Sequence, residues 1–128
     1  MKSDPKECLY CQNNETLHNL MIEIAQLSVS RVFLFKEQTY RGRCLVAYKD
    51  HVNDLNELSD EDRNAFMADV TRVTRAMQKA FQPEKINYGA YSDKLSHLHF
   101  HLAPKYVDGP DYGGIFPDES GKGLFDGC

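Results

Sequence analysis

Imidazole and apolar side chains alternate without a break along His97-Leu98-His99-Phe100-His101-Leu102. In a β-strand, residues i, i+2 and i+4 point to one face. His97, His99 and His101 therefore share a face, and Leu98, Phe100 and Leu102 share the opposite one. The apolar face has to be covered by another element. The imidazole face is expected to look onto a pocket or onto solvent, with Pro104 closing the strand.

A cover for the apolar face is legible upstream. Ser59 before Asp60-Glu61-Asp62 is a helix-start signal, because a serine side chain caps the first turn and acids there suit the helix dipole. Phe66, Val70, Val73, Met77 and Phe81 follow at spacings of four, three, four and four. That is one apolar stripe on a long helix, which Pro83 stops. These side chains read as core contacts, not as a cofactor box. Strands are expected over 20–27, 32–35 and 44–48, an antiparallel meander with short connections, and over 85–91 before a turn at Ser92-Asp93-Lys94. The residues ahead of 20 show no clear period beyond a loop at Asn13-Asn14-Glu15. The expected class is α+β, with a five-stranded, mainly antiparallel sheet, one long helix and a short helix.

The chain has 128 residues, 41% of them hydrophobic, which fits a single domain over 1–128. Residues 1–17 form a Cys-x-x-Cys segment, and the polar, Gly-rich tail over 116–128 reads as mobile. A net charge of −4 with no Lys/Arg block argues against nucleic-acid polymers as partners but leaves small phosphorylated ligands open. No stretch approaches the roughly 18 apolar residues of a membrane span, and the first residues lack the apolar core of a secretory signal. The expectation is a soluble, cytoplasmic protein. In that compartment Cys8 and Cys11 point to metal binding or redox chemistry more than to a disulfide. Cys44 reads as a small buried residue, Cys128 carries no signal, and His18 reads as an ordinary polar residue.

A row of three imidazoles has two chemical uses. Several can ligate a metal, or one can attack phosphorus while its neighbours hold the oxyanions. A pKa near neutrality lets both protonation forms of histidine coexist. A purely solvated face is disfavoured, because adjacent imidazoles repel when protonated. Periodicity alone leaves both uses open.

The segment His97-Leu98-His99-Phe100-His101-Leu102-Ala103 resembles the H-φ-H-φ-H-φ-φ motif (φ apolar) of the histidine-triad (HIT) family. The likeness runs from about residue 30 to 115. Leu45 to Val52 resembles the family's strand leading to a histidine, here His51. Leu55 to Asp62 resembles its helix entry, and Ile86-Asn87-Tyr88-Gly89 the strand before the triad. The resemblance implies a HIT-like fold and a nucleotide hydrolase. Such an enzyme cleaves nucleoside phosphoramidates or dinucleoside polyphosphates at the α-phosphate through a covalent nucleotidyl-histidine, releasing a nucleoside monophosphate; the resemblance implies a purine nucleotide, with AMP as product. The alternative is a nucleotide-binding regulatory module without turnover.

Carried over residue by residue, the resemblance makes His99 the nucleophile and His101 the contact to the α-phosphate oxygens. The backbone near His97 orients His99 through its other ring nitrogen. Asn87 falls in the nucleotide pocket. Many members carry Gln or Ser three residues ahead of the triad; here Lys94 stands there, with Ser96 beside the triad, so both are candidates for phosphate or leaving-group contact. Glu37, in a loop of unfamiliar length, is the candidate for ribose. Zinc-containing members supply two histidines to complete a Cys-x-x-Cys site, which implies a structural zinc on Cys8, Cys11, His51 and His97. Members also pair as homodimers through the long helix and the adjoining strand.

Overall fold

The computed structural model describes residue 6 and residues 8–91 and 96–115. In chain order the elements are α1 (Leu9–Gln12), α2 (Glu15–Leu20), β1 (Met21–Gln26), β2 (Ser30–Phe35), β3 (Cys44–Tyr48), a 3-10 turn at Leu55–Glu57, α3 (Asp60–Phe81), β4 (Lys85–Gly89) and β5 (His99–Lys105). The five strands form one antiparallel sheet in the order β1-β2-β3-β5-β4. The first three are the expected meander. β5 then inserts between β3 and β4, which puts the histidine strand inside the sheet.

α3 forms as its sequence dictates. The Ser59 hydroxyl accepts from the Asp62 amide at 3.1 Å, and Gln82 ends the helix in the left-handed conformation (φ 52°) just before Pro83. Phe66, Val70, Val73 and Met77 bury their stripe against Val32, Cys44, Val46, Leu98 and Leu102, with Phe100 packed alongside. Phe66 meets Phe100 and Tyr48 edge to face, with centroids 5.8 and 5.5 Å apart. The carboxylate of Asp69, buried in the helix, accepts from the Val29 amide at 2.9 Å and from the Ser30 hydroxyl, tying α3 to the β1–β2 hairpin.

The opposite face differs from expectation. Its imidazoles are covered, with His97, His99 and His101 only 2%, 1% and 0% exposed. Tyr10, Leu17 and Leu20 from the N-terminal segment pack onto Phe33, Phe35, Leu45 and Ala47 of this face. Every residue of β3 is buried, and a strand buried on both faces needs a second layer. α1 and α2, which lack a periodic signature, provide it. Arg31 pins them by donating to the Tyr10 carbonyl at 2.8 Å and to Asn13 Oδ1 at 3.1 Å, while Glu23 holds the guanidinium from the other side.

Several boundaries also move: β2 starts at Ser30, two residues earlier than expected, because Ser30 pairs with Tyr48 of β3, β4 ends at Gly89, where its pairing with β5 stops, and β1 ends at Gln26. Leu20 belongs to α2, so β1 starts one residue later than expected. β5 does not close at Pro104 but runs through it to Lys105, with Pro104 paired to Ile86 of β4. Proline cannot donate to a ladder, yet β3 pairs β5 only as far as Cys44–Leu102, so no β3 residue stands opposite Pro104.

Gly42 sets the entry to β3. Its φ is +88°, and a β-carbon there would meet Phe81 Cδ2 at 2.7 Å. Gly42→Ala should therefore lower the unfolding free energy by about 1–3 kcal/mol through backbone strain and the clash with α3. Urea melts with an unchanged midpoint would contradict this.

Candidate functional site

The ladder registers explain which side chains reach the imidazole face. Directly paired residues share a face, and β5 pairs Leu45 with His101 and Ala47 with His99. On the other side β4 pairs Gly89 with His101 and Asn87 with Ala103. Asn87 thus lies on the imidazole face, half-buried. Gly89 places no side chain beside His101. His97 precedes the strand proper, held where the Leu98 amide donates to the Val52 carbonyl and the Tyr48 amide to the Leu98 carbonyl, at 2.8 and 3.0 Å.

His97 turns away from its two neighbours. Its Nδ1 stands 3.2 Å from Cys8 Sγ, 3.6 Å from Cys11 Sγ and 3.3 Å from His51 Nδ1. His51 Nδ1 in turn lies 3.2 Å from Cys11 Sγ. All four ligand atoms fall within 4.8 Å of one another, the one such cluster among the described residues. A tetrahedral ion with bonds of about 2.3 Å to sulfur and about 2.0 Å to nitrogen sets S···N separations near ~3.5 Å, so the donor set fits zinc. The far nitrogen of His97, Nε2, donates to the Tyr48 carbonyl at 2.7 Å, the kind of outer contact that fixes a ligating imidazole. Burial pushes His97 down to about 4, so its ring is neutral at physiological pH, as a ligand must be. Partial burial of the sulfur and the adjacent Cys8 raise the Cys11 thiol to about 12, a proton that an incoming cation has to displace.

His99 and His101 lie side by side, ring centroids 5.1 Å apart. His99 Nδ1 is 2.6 Å from the His97 carbonyl. A carbonyl only accepts, so Nδ1 carries a proton, and in the neutral ring the lone pair falls on Nε2. His101 Nδ1 receives a hydrogen bond from Arg43 Nη2 at 3.1 Å. A guanidinium only donates, so the neutral His101 ring carries its proton on Nε2. Two adjacent imidazoles are held in opposite tautomers. Tyr10 packs on His97 and His99 at centroid distances of 5.2 and 5.3 Å, and Tyr91 lies 6.0 Å from His101. A site in which one zinc is shared by His97, His99 and His101 does not match this arrangement, because the ring of His97 faces the cysteines.

The remaining sequence candidates are scattered. Ser96 is half-buried just ahead of His97. Lys94 lies outside the described residues. Glu37 bonds Thr39 through Oε1, accepting from its amide at 2.7 Å and from its hydroxyl. Its other oxygen is buried without a hydrogen-bond partner among the described residues. Sequence reasoning missed Arg43, Tyr10 and Arg31. Nothing in the local pattern flags Tyr10 or Arg31, but an arginine opening the apolar run at Cys44 could have marked Arg43 as a buried cation.

A family model described as "HIT domain" matches residues 14–108. The chain belongs to the HIT domain family. The match begins after the cysteine pair and contains both His51 and the whole imidazole row. The chain is 32% identical over 89 residues to "Adenosine 5'-monophosphoramidase hnt1" of Schizosaccharomyces pombe, covering 66% of this chain and 64% of that protein. It is 27% identical over 89 residues to "Protein hit" of Bacillus subtilis, covering 66% and 61%. The chain thus spans less than two thirds of the length of these curated relatives. Its fold matches a histidine triad protein from Marinobacter aquaeolei at TM-score 0.75 and 18% identity, covering 84% and 79% of the two chains. One from Sinorhizobium meliloti matches at 0.72 and 21%, covering 84% and 87%. The expected HIT-like α+β fold is the observed one.

The Cys8-Cys11-His51-His97 cluster makes a separable prediction. Purified protein titrated with Zn²⁺ should take up one equivalent; Cys8→Ser should weaken uptake by at least about tenfold, and His99→Ala should leave it intact. Equal uptake by wild type and Cys8→Ser in metal analysis would reject the cluster as a site.

Proposed function

We propose that the protein is a nucleotide hydrolase acting at the α-phosphorus of nucleoside phosphoramidates or dinucleoside polyphosphates. One observation carries the reading: the hydrogen bond from His99 Nδ1 to the His97 carbonyl fixes the ring so that, when neutral, it bears its lone pair on Nε2, the nucleophilic nitrogen. His99 Nε2 attacks phosphorus, a P–N bond forms, and the bond to the leaving amine or phosphate breaks with its electron pair going to that group. Water then attacks phosphorus, the P–N bond to His99 breaks, and a nucleoside monophosphate leaves. His101 Nε2–H donates to an α-phosphate oxygen as charge develops there. Asn87, on the same face, and Lys94 and Ser96, ahead of the triad, contact the nucleotide, and the buried Oε2 of Glu37 accepts from a ribose hydroxyl. Likeness to the phosphoramidase supports a purine base and AMP as product.

Zinc on Cys8, Cys11, His51 and His97 serves as a brace. With two sulfur and two nitrogen donors the site is closed and offers substrate no open position. It joins the N-terminal cover to the segment whose carbonyl orients His99. Thiolates kept reduced for this purpose fit a cytoplasmic location. Among the described residues no helix is long and apolar enough to cross a membrane.

β4 is an edge strand flanking α3. A groove of about 370 Å³ between them is lined by Thr74, Gln78, Ile86 and Tyr88, and Tyr88 is 54% exposed. Two copies pairing along β4 would close both edges. Tyr88→Glu should then shift the protein from dimer to monomer in sedimentation equilibrium. A wild-type monomer at tens of micromolar would count against pairing.

The activity test is AMP release from adenosine phosphoramidate and from a diadenosine polyphosphate. His99→Asn should reduce kcat by about 10³-fold or more while AMP still binds. Release that survives His99→Asn would remove the nucleophile assignment. Tight AMP binding with no release by wild type would favour the regulatory module.

A further inference from the structure

The imidazole that faces the phosphate is held by a residue with no place in the triad. Arg43 ends the β2–β3 connection and is 1% exposed. Its backbone is fixed on both sides, the amide donating to the Tyr40 carbonyl at 2.9 Å and the carbonyl accepting from the Phe35 amide at 3.1 Å. Gly42, with positive φ packed against Phe81, sets the approach. The guanidinium lies over the Phe35 ring, 4.7 Å from its centroid, and Nη2 donates to His101 Nδ1 at 3.1 Å. Arg43 also stands two residues ahead of Leu45, the β3 partner of His101.

We propose that Arg43 is the positioning residue for phosphate recognition, locking His101 as an Nε2–H donor and holding a permanent positive charge behind it. The chemistry follows from what each group can do. An arginine has five N–H donors, no acceptor, and stays protonated at any pH the fold survives. His101 facing it can therefore offer only a lone pair at Nδ1. Its single proton is confined to Nε2, and protonation of Nδ1 would set two donors against each other. The ring behaves as a fixed donor, and the charge that complements the phosphate resides on the guanidinium. A charge-assisted bond polarises the imidazole, which strengthens the Nε2–H as a donor. His99, bonded to a neutral carbonyl, keeps the nucleophilic lone pair that a cation at that position would withdraw. One arginine thus separates the roles of two otherwise equivalent rings.

This inference rests on the hydrolase reading for its consequence but not for its geometry, so the test has two arms. In the first, zinc-loaded protein with ¹⁵N-labelled histidine is studied by long-range proton–nitrogen correlation, the His101 signals being assigned by their loss in His101→Asn. Wild type should show His101 as the Nε2–H tautomer and His99 as the Nδ1–H tautomer. In Arg43→Met, His101 should lose that fixed pattern, and Arg43→Lys should restore it in part. A wild-type His101 protonated on Nδ1 would overturn the proposal whether or not any variant folds, and so would an unchanged His101 pattern in a folded Arg43→Met.

The second arm compares AMP with adenosine. Arg43→Met should weaken AMP binding about 10- to 100-fold and adenosine binding less than about threefold, with Arg43→Lys between. Equal loss for both ligands would mean a structural role alone and would also overturn the proposal. Absence of AMP release by wild type, together with the expected tautomers and the AMP-selective loss, would sink the hydrolase reading and leave Arg43 in its assigned role.

Discussion

The carbonyl of His97 and its side chain do different work a few ångströms apart, and the site depends on both. The carbonyl accepts from His99 Nδ1 at 2.6 Å. The imidazole places Nδ1 among Cys8, Cys11 and His51 and donates from Nε2 to Tyr48. A residue fixed by two contacts at its ring cannot rotate its backbone freely, so the orientation of His99 inherits the rigidity of the Cys8-Cys11-His51-His97 cluster. The cysteines lie beyond the N-terminal limit of the family match, at residue 14, yet they close against its centre. The N-terminal segment thereby becomes part of the site's support. Arg31 adds to the same fastening by joining Tyr10 and Asn13 to β2 and, through Glu23, to β1. That pairing with the guanidinium holds the Glu23 carboxyl below its usual range.

How much of this was legible in the sequence depended on periodicity. α3 was legible end to end, because Ser59, the acidic first turn, the stripe from Phe66 to Phe81 and Pro83 all agree. β3 matched its expected bounds for a related reason: an uninterrupted apolar run has few alternatives. α1 and α2 were not legible. Four and six residues long, they are too short to express a helical period, and they exist because the sheet's second face requires cover. The extension of β5 through Pro104 was likewise hidden, since only the tertiary arrangement shows that β3 has ended opposite it.

The site divides along the same line. The sharing of one face by His97, His99 and His101 follows from a two-residue period, and the grouping of Cys8, Cys11, His51 and His97 follows from likeness to zinc-binding members. The burial of the row did not follow, because exposure depends on what α1 and α2 cover. Arg43 did not follow either: its partner, His101, is far away in sequence, and only the β3–β5 register brings the two together.

Burial changes what the three imidazoles can do electrostatically. Desolvation first, then the charges of His51, His99 and Arg31, depress His97. An anion on this face is better met by a fixed charge than by an imidazolium, since protonating His97 must overcome both desolvation and its neighbours. The positive charge on this face is better carried by a group that never titrates and that lies behind an imidazole. Arg43 meets both conditions, and its aromatic bed on Phe35 lowers the cost of keeping a cation 1% exposed. Under the proposed hydrolase reading, one ring then attacks through a lone pair and the other donates a hydrogen bond. The carbonyl of His97 and the guanidinium of Arg43 impose opposite demands on His99 and His101, two residues apart on one strand.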